Sequence, residues 1–172
     1  MTDKEGRPFT VRRLSAQDRR ALEHMYRVFE PKRVAQGLPP HEPGIGRWLD
    51  CVLAKGDHFV VDIDGALLGH AMLIPTEDGK AELANFLHQS IRNRGIGTAL
   101  NRMVIDAARE AGWRRVWLTV EPSNRAAVRS YQKAGFRRLA GSLWAPEIEM
   151  QADLQPAAAE HGSCTLPGQV GR

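Results

Sequence analysis

The 172-residue sequence predicts a mixed α/β sheet in a single domain. Two patterns carry that prediction. In the first half, apolar runs at 58–63 and 66–74 flank Asp64-Gly65, the signature of a two-residue hairpin. In the second half, short apolar runs at 81–87, 115–120 and 136–139 alternate with stretches of helical periodicity.

Taken in order, Phe9 to Arg12 alternates and reads as a first strand. Ser15 offers an N-cap with Asp18 as a capping-box partner, and Leu22, Met25, Tyr26 and Phe29 form the apolar face of the helix that follows. Pro31 is expected to stop it. The Pro- and Gly-rich text from Glu30 to Gly46 reads as a loop, and Trp48, Leu49, Val52 and Leu53 as a second helix ending near Gly56. After the hairpin, Glu77-Asp78-Gly79 turns the chain into the run 81–87. Ile96, Ala99, Leu100, Met103, Val104, Ala107, Ala108 and Ala111 then recur at helical spacing, with Asn101, Arg102, Asp106, Arg109 and Glu110 on the opposite face. Arg102 and Asp106 are expected to pair, and Gly112 to close the helix in a left-handed cap. A helix opening at Pro122-Ser123-Asn124 carries Ala127, Val128, Tyr131 and Ala134 on one face and ends at Gly135. The segment 147–154 should return antiparallel. Beyond Gln155 the text has no periodicity and few large apolar residues, so a domain over 1–154 with a disordered tail over 155–172 is expected.

The junction before the long helix points to phosphate. A helix's first amides have no intrahelical partner and lie at the positive end of its dipole. Gly95 and Gly97 strip Cβ atoms from that approach, and Arg92 and Arg94 add charge. A diphosphate on the amides from Arg94 through Ile96 to Thr98 is the expected ligand. A nucleotide P-loop would need lysine after its last glycine, where Thr98 and Ala99 stand. A dinucleotide fingerprint would need Gly or Ala where Leu100 stands, although Glu121 lies at a suitable distance downstream, which weakens that reading without removing it.

Composition narrows the rest. The chain is 42% hydrophobic and 26% charged, with a formal net charge of +4, ordinary for a soluble protein and compatible with an anionic ligand. The opening MTDKEGRPFT is charged and predicts no secretory leader, and no apolar run is long enough for a bilayer. Cys51 and Cys164 fit neither a disulfide framework nor a metal site, so a cytoplasmic setting and no metal are expected, and Cys51 reads as core. The basic run from Arg125 to Arg138 lacks interleaved stacking aromatics apart from Tyr131 and Phe136, which argues against nucleic acid.

Two motifs together resemble those of the GNAT superfamily of N-acetyltransferases. Arg92-Asn93-Arg94-Gly95-Ile96-Gly97 is similar to the family's Gln/Arg-x-x-Gly-x-Gly/Ala, with Gln89 and Asn93 departing from the usual proline and first glycine of the approach. Leu118-x-Val120, Asn124, Ala127, Tyr131 and Gly135-Phe136 look like the second family signature. The resemblance covers about residues 81–140. It implies a GNAT fold: a mixed, mostly antiparallel sheet of about seven strands flanked by four helices. It also implies acetyl transfer from acetyl-CoA to an amine by direct attack, in a monomer or homodimer.

On that resemblance, Leu87, with His88 and Gln89 beside it, would meet the thioester and pantetheine arm. Arg92, Arg94, Gly95, Ile96, Gly97 and Thr98 would hold the pyrophosphate. Asn124 and Ala127 would meet the cofactor arm, Asn124 also serving as a helix cap. Tyr131 would protonate the leaving thiolate, and Glu82 is the favoured base, with His88 next. His58 and His70 read as sheet residues rather than catalysts. The loop from Glu30 to Trp48, with His41 and Glu42, would wall the acceptor, whose identity stays open among small amines, peptide N-termini and protein lysines. The competing reading is an acyl-CoA-binding sensor of the same fold that turns nothing over.

Overall fold

A computed structural model describes residues 1–30, 39–41, 43–141 and 146–154. Its strands are β1 (Thr10–Arg13), β2 (Asp57–Ile63), β3 (Ala66–Pro75), β4 (Lys80–Leu87), β5 (Arg115–Val120), β6 (Arg137–Arg138) and β7 (Ile148–Asp153). They form one seven-stranded sheet in the order β1-β2-β3-β4-β5-β7-β6. Among the described residues four α-helices cover it: α1 (Arg19–Arg27), α2 (Ile45–Leu53), α3 (Ile96–Glu110) and α4 (Arg125–Lys133).

The period-two alternation of the strands sorts side chains onto two layers. Phe59, Val61, Ala71, Leu73, Ala81, Leu83, Val116 and Leu118 face α3 and α4 and pack on Ile96, Leu100 and Val104. Val60, Met72 and Phe86 face α1 and α2 and pack on Leu22, Met25, Tyr26 and Leu49. The hairpin turns on Asp64 and Gly65, both at positive φ (53° and 81°), which matches the twist of the strands they join. Asp18 accepts from the Ser15 amide at 2.7 Å and hydroxyl at 2.8 Å, and the Arg12 guanidinium grips the same carboxylate at 2.6 Å and 2.9 Å. That grip, more than anything else, holds the Asp18 carboxyl well below the usual range.

One strand pair positions the site. Every contact in the sheet is antiparallel except β4 with β5, which run parallel and pair only over Lys80–Arg115, Ala81–Val116 and Glu82–Trp117. Beyond Glu82 the two strands part. β4 stays paired with β3 as far as Leu87, and β5 stays paired with β7.

A buried polar chain crosses the α1 side of the sheet. The His58 Nε2 lies 2.9 Å from the Lys55 carbonyl, so it carries the hydrogen and leaves Nδ1 as acceptor. His70 Nε2 must then donate to His58 Nδ1 at 3.1 Å, and the Tyr26 hydroxyl to His70 Nδ1 at 2.7 Å. Each histidine is thus neutral in one defined tautomer. Burial, with His58 adding to it, pushes the His70 imidazole down to about 3. Both are sheet residues, as expected.

Some expectations need correcting. Asn101 is buried at 1% exposure rather than on the solvent face of α3. Asp106 pairs with Arg109 at 2.7 Å, whereas Arg102 reaches the Lys133 carbonyl at 3.3 Å. Cys51 is exposed, because the buried positions of α2 are Ile45 and Leu49 and residue 51 falls off their face. Pro31, Glu42 and the segment 155–172 lie outside the described residues.

Candidate active site

The site is the opening between β4 and β5. The Thr76–Lys80 and His88–Leu68 main-chain bonds show that even-numbered residues of β4 bond to β3. Odd-numbered ones therefore turn their main chain the other way, and at Asn85 and Leu87 no strand among the described residues meets them. The Leu87 carbonyl is taken by Arg92 Nε at 2.9 Å, which leaves the Leu87 amide and both main-chain groups of Asn85 facing the opening. The His88 amide is engaged by Leu68 at 2.8 Å, and its ring Nδ1 caps the following 3-10 turn by accepting from the Ser90 amide.

The loop behind this opening ends at α3. Asn93 takes φ 63°, a left-handed conformation that asparagine adopts more readily than most residues, so it can stand where a glycine would be usual. Gly95 is left-handed at φ 86° and precedes the first helical residue. The Thr98 and Ala99 amides already close on the Gly95 carbonyl, while those of Ile96 and Gly97 meet no acceptor among the described residues. An anion would therefore sit on a narrower set of amides than the sequence alone suggests. A Cβ on Gly97 would come within 2.9 Å of Leu87 Cδ1 and 3.4 Å of Ser130 Oγ, so this glycine lets the helix close on β4.

The two arginines do not face outward as free charges. Arg92 donates to the carbonyls of Leu87 and Glu30 and lies 5.3 Å over the Phe29 ring. Arg94 is held by Asp3, with Nε at 2.5 Å, and the Lys4 amide donates to the Arg94 carbonyl at 3.0 Å. Gln89 joins the same bracing, accepting from the Glu30 amide at 3.0 Å and donating to the Val28 carbonyl at 2.8 Å. Arg92 and Gln89 thus tie the end of β4 to the end of α1, and Arg94 ties the loop to the N-terminal segment.

Asn124 caps α4, its Oδ1 accepting from the Ala127 amide at 3.2 Å. One helical face onward, Tyr131 is buried and its hydroxyl donates to Asn85 Oδ1 at 3.2 Å. Burial pushes this phenol up to about 12, so it keeps its proton at neutral pH. Glu82 projects from the opposite face of β4, half-buried, with no hydrogen bond or ion pair to any described residue. Burial raises its carboxyl above the ordinary value. A proton donor and a potential proton acceptor thus lie on opposite sides of one strand at the point where it loses its neighbour.

Sequence reasoning missed Asn85, Asn101 and Ser130. Asn85 Nδ2 donates to Asn101 Oδ1 at 2.5 Å, and Asn101 Nδ2 to Ser130 Oγ at 3.2 Å. The available signal was an asparagine inside the apolar run 81–87, on the face it shares with Leu83 and Leu87. A cleft of about 360 Å³, lined by Arg13, Ser15, Arg19 and His58 among others, shares no residue with β4, α3 or α4. The described residues contain no cluster of three or more metal-binding side chains and no helix long and apolar enough to cross a membrane.

Known proteins share this architecture. The GNAT domain of the S. lividans protein PAT superposes with a TM-score of 0.74 at 20% identity, over 90% of this chain and 95% of that one. A Sinorhizobium meliloti phosphinothricin acetyltransferase, solved with AcCoA, gives 0.69 at 19% identity over 95% and 98%. The sequence is 39% identical over 75 residues to an uncharacterized N-acetyltransferase of Mycobacterium tuberculosis. That match takes in 43% of this chain and 48% of the relative, so the chain spans about half the length of the curated relative it resembles. An uncharacterized Escherichia coli N-acetyltransferase, YjgM, is 22% identical over 75% of the chain and 82% of its own length. The model of the Acetyltransferase (GNAT) family matches residues 20–136, and with more than half its length inside that match the chain belongs to the GNAT acetyltransferase family.

Proposed function

We propose that this protein moves an acetyl group from acetyl-CoA to a primary amine by direct attack in a ternary complex. The observation that carries the reading is the parting of β4 and β5 after Glu82, with a helix N-terminus at one end and a buried tyrosine beside it. Acetyl-CoA supplies a thioester whose carbonyl carbon is open to an amine. The rest falls to the chain. The free Asn85 and Leu87 main-chain groups fit an extended amide-bearing arm laid along β4 as an added strand, and one amide there would support the carbonyl oxygen as it gains charge. The Ile96 and Gly97 amides fit the pyrophosphate. Arg92, Arg94 and Gln89 act by bracing the loop, and His88 by capping it.

The two faces of β4 divide the proton work. The amine approaches from the α1 side, where Glu82 is a carboxyl of raised pKa without a competing partner among the described residues, suited to take the ammonium proton. The departing sulfur lies on the α4 side, where Tyr131 holds a proton it does not lose at neutral pH. We place the catalytic domain within 1–154 and infer a cytoplasmic enzyme acting on a small amine, peptide or protein lysine.

The test is thiol release from acetyl-CoA across a panel of amines, run beside calorimetry with acetyl-CoA. Binding with steady turnover on at least one amine supports the enzyme. Tight binding with no thiol release on any amine would leave a non-catalytic acyl-CoA sensor. Failure to bind would remove the cofactor site itself.

A further inference from the structure

We propose that Lys4, from the segment ahead of β1, supplies the cation that pairs with the diphosphate on the loop before α3. The proposal rests on the reading of that loop as the diphosphate site of acetyl-CoA. A diphosphate carries more than one negative charge, and the two arginines of the loop are already committed. Arg92 donates to the Leu87 and Glu30 carbonyls, and Arg94 is paired with Asp3. The open Ile96 and Gly97 amides offer hydrogens but only part of a charge. A full positive charge with donors to give comes from a different element.

Residues 1–9 fold back on themselves. The Phe9 amide donates to the Met1 carbonyl and the Asp3 amide to the Arg7 carbonyl, both at 2.9 Å, and Thr2 bridges Pro8. Within this turn the Asp3 carboxylate accepts from the Glu5 and Arg7 amides, each at 2.9 Å. The same carboxylate holds Arg94, and the Lys4 amide donates to the Arg94 carbonyl at 3.0 Å. The root of Lys4 is therefore docked on the residue before Gly95. Its stem lies across Gly95: a Cβ there would meet Lys4 Cγ at 3.5 Å and Cε at 3.7 Å. The ammonium is one bond past Cε on an exposed residue, and it has no hydrogen bond or ion pair with any described residue.

Two carboxylates flank Lys4 in sequence, and both have cations of their own. Asp3 pairs with Arg94. Glu5 lies 3.3 Å from Arg7 and 3.8 Å from Arg94. The charge left over is that of Lys4, beside the positive end of the α3 dipole. An anion seated on the Ile96 and Gly97 amides gives the ammonium a partner within reach of its flexible stem, since that stem crosses the residue next to the first of those amides. Because the main chain of Lys4 is already fixed, only the rotamers of one side chain are ordered on binding. The diphosphate takes no part in bond making, so the contact is as strong before the transition state as in it. Lys4 should therefore act on KM for acetyl-CoA and leave kcat alone.

The test is calorimetry with CoA on the full chain at low and at high salt. Lys4→Met removes the charge and keeps most of the stem, Lys4→Arg keeps the charge, and Lys55→Met is a control for net charge at the start of β2, away from the loop. Lys4→Met should weaken CoA binding roughly five- to thirtyfold at low salt, and the loss should shrink as salt screens the pair. Lys4→Arg should stay within a few-fold of wild type, and Lys55→Met should bind as wild type does. Dephospho-CoA, which keeps the diphosphate and lacks the 3′-phosphate, should show the same loss in Lys4→Met. The melting temperature of Lys4→Met without ligand should match wild type, because the change removes an exposed ammonium. Equal CoA affinity in Lys4→Met and wild type overturns the proposal and leaves the cofactor site standing. So does an equal loss in Lys55→Met, which would mark a general effect of net charge, and so does a loss seen with CoA and absent with dephospho-CoA, which would move the contact to the 3′-phosphate. Failure of the wild type to bind CoA overturns the role of Lys4 together with the cofactor site.

Discussion

Replacing His70 by Gln should remove about 2 kcal/mol of the protein's loss of stability between pH 7 and pH 5. His70 is fully buried, and its two ring nitrogens are used by Tyr26 and His58. A charged ring there would be cut off from water, and a proton on Nδ1 would take from the Tyr26 hydroxyl its acceptor, so the folded protein holds the ring neutral, with a pKa lowered from 6.5 to about 3 by burial and by His58. The unfolded chain binds the proton at its ordinary pKa. Below pH 6.5 the unfolded state therefore carries more protons, and stability falls as pH falls until the folded pKa is reached. Applied between pH 7 and pH 5, those two values give about 2 kcal/mol of lost stability from this one ring. Asp18, whose folded pKa is depressed, loses its contribution mainly below the ordinary carboxylate pKa and adds little in this window. The assay is urea unfolding followed by fluorescence of the four tryptophans at each pH. The variant will be less stable at both, because Tyr26 and His58 lose a matched partner, so the informative quantity is the difference between pH values. If wild type and His70→Gln lose the same amount from pH 7 to pH 5, the ring is not the neutral, doubly bonded group described here.

Four further outcomes are expected. Tyr131→Phe should lower kcat by roughly 10²–10⁴ while acetyl-CoA affinity stays within a few-fold, and the wild-type kcat should show no tyrosine limb until pH nears the Tyr131 pKa of about 12; wild-type turnover in the variant would remove the residue from the mechanism. Gly97→Asp should weaken acetyl-CoA binding severely in calorimetry, with Gly97→Ala as the control that displaces Leu87 without adding charge; unchanged affinity in Gly97→Asp would refute the phosphate assignment. Arg94→Ala should lower the melting temperature more than it weakens acetyl-CoA binding, because its guanidinium is engaged by Asp3; the reverse ordering would show a direct phosphate contact. A chain ending at Leu154 should keep its melting temperature and cofactor affinity, and a large drop on truncation would show that the segment beyond it docks.

The elements were legible where one period dominated. Ile96, Leu100, Val104, Ala107 and Ala108 of α3 were legible as buried because eight apolar positions repeat at helical spacing, though buried Ile105 falls outside that set, and the hairpin was legible from two residues that accept positive φ. Partners distant in sequence were not legible. Arg94 advertises positive charge beside a glycine loop, and nothing local shows that Asp3, 91 positions earlier, neutralises it. Asn101 was assigned to solvent because it is polar, yet its hydrogen-bonding needs are met inside the protein by Asn85 and Ser130 from two other elements. A buried amide pair of this kind appears in a one-dimensional pattern as two unrelated exceptions. Leu87 could be placed at the parting strand through the family resemblance, whereas the outward-facing main chain of Asn85 required the ladder register.

The short parallel seam has a consequence for cooperativity. Two antiparallel ladders, one from β1 to β4 and one of β5, β7 and β6, share three rungs. Little backbone bonding therefore obliges them to melt together. That coupling falls largely to α3, which packs across β1, β2 and β3 on one side and against α4 on the other. A ligand strand laid on Asn85 and Leu87 would supply rungs that the chain lacks. Global stability would then obey mass action: the melting temperature should climb with free ligand concentration, and the amides most protected from hydrogen exchange on binding should belong to the two strands beside the gap.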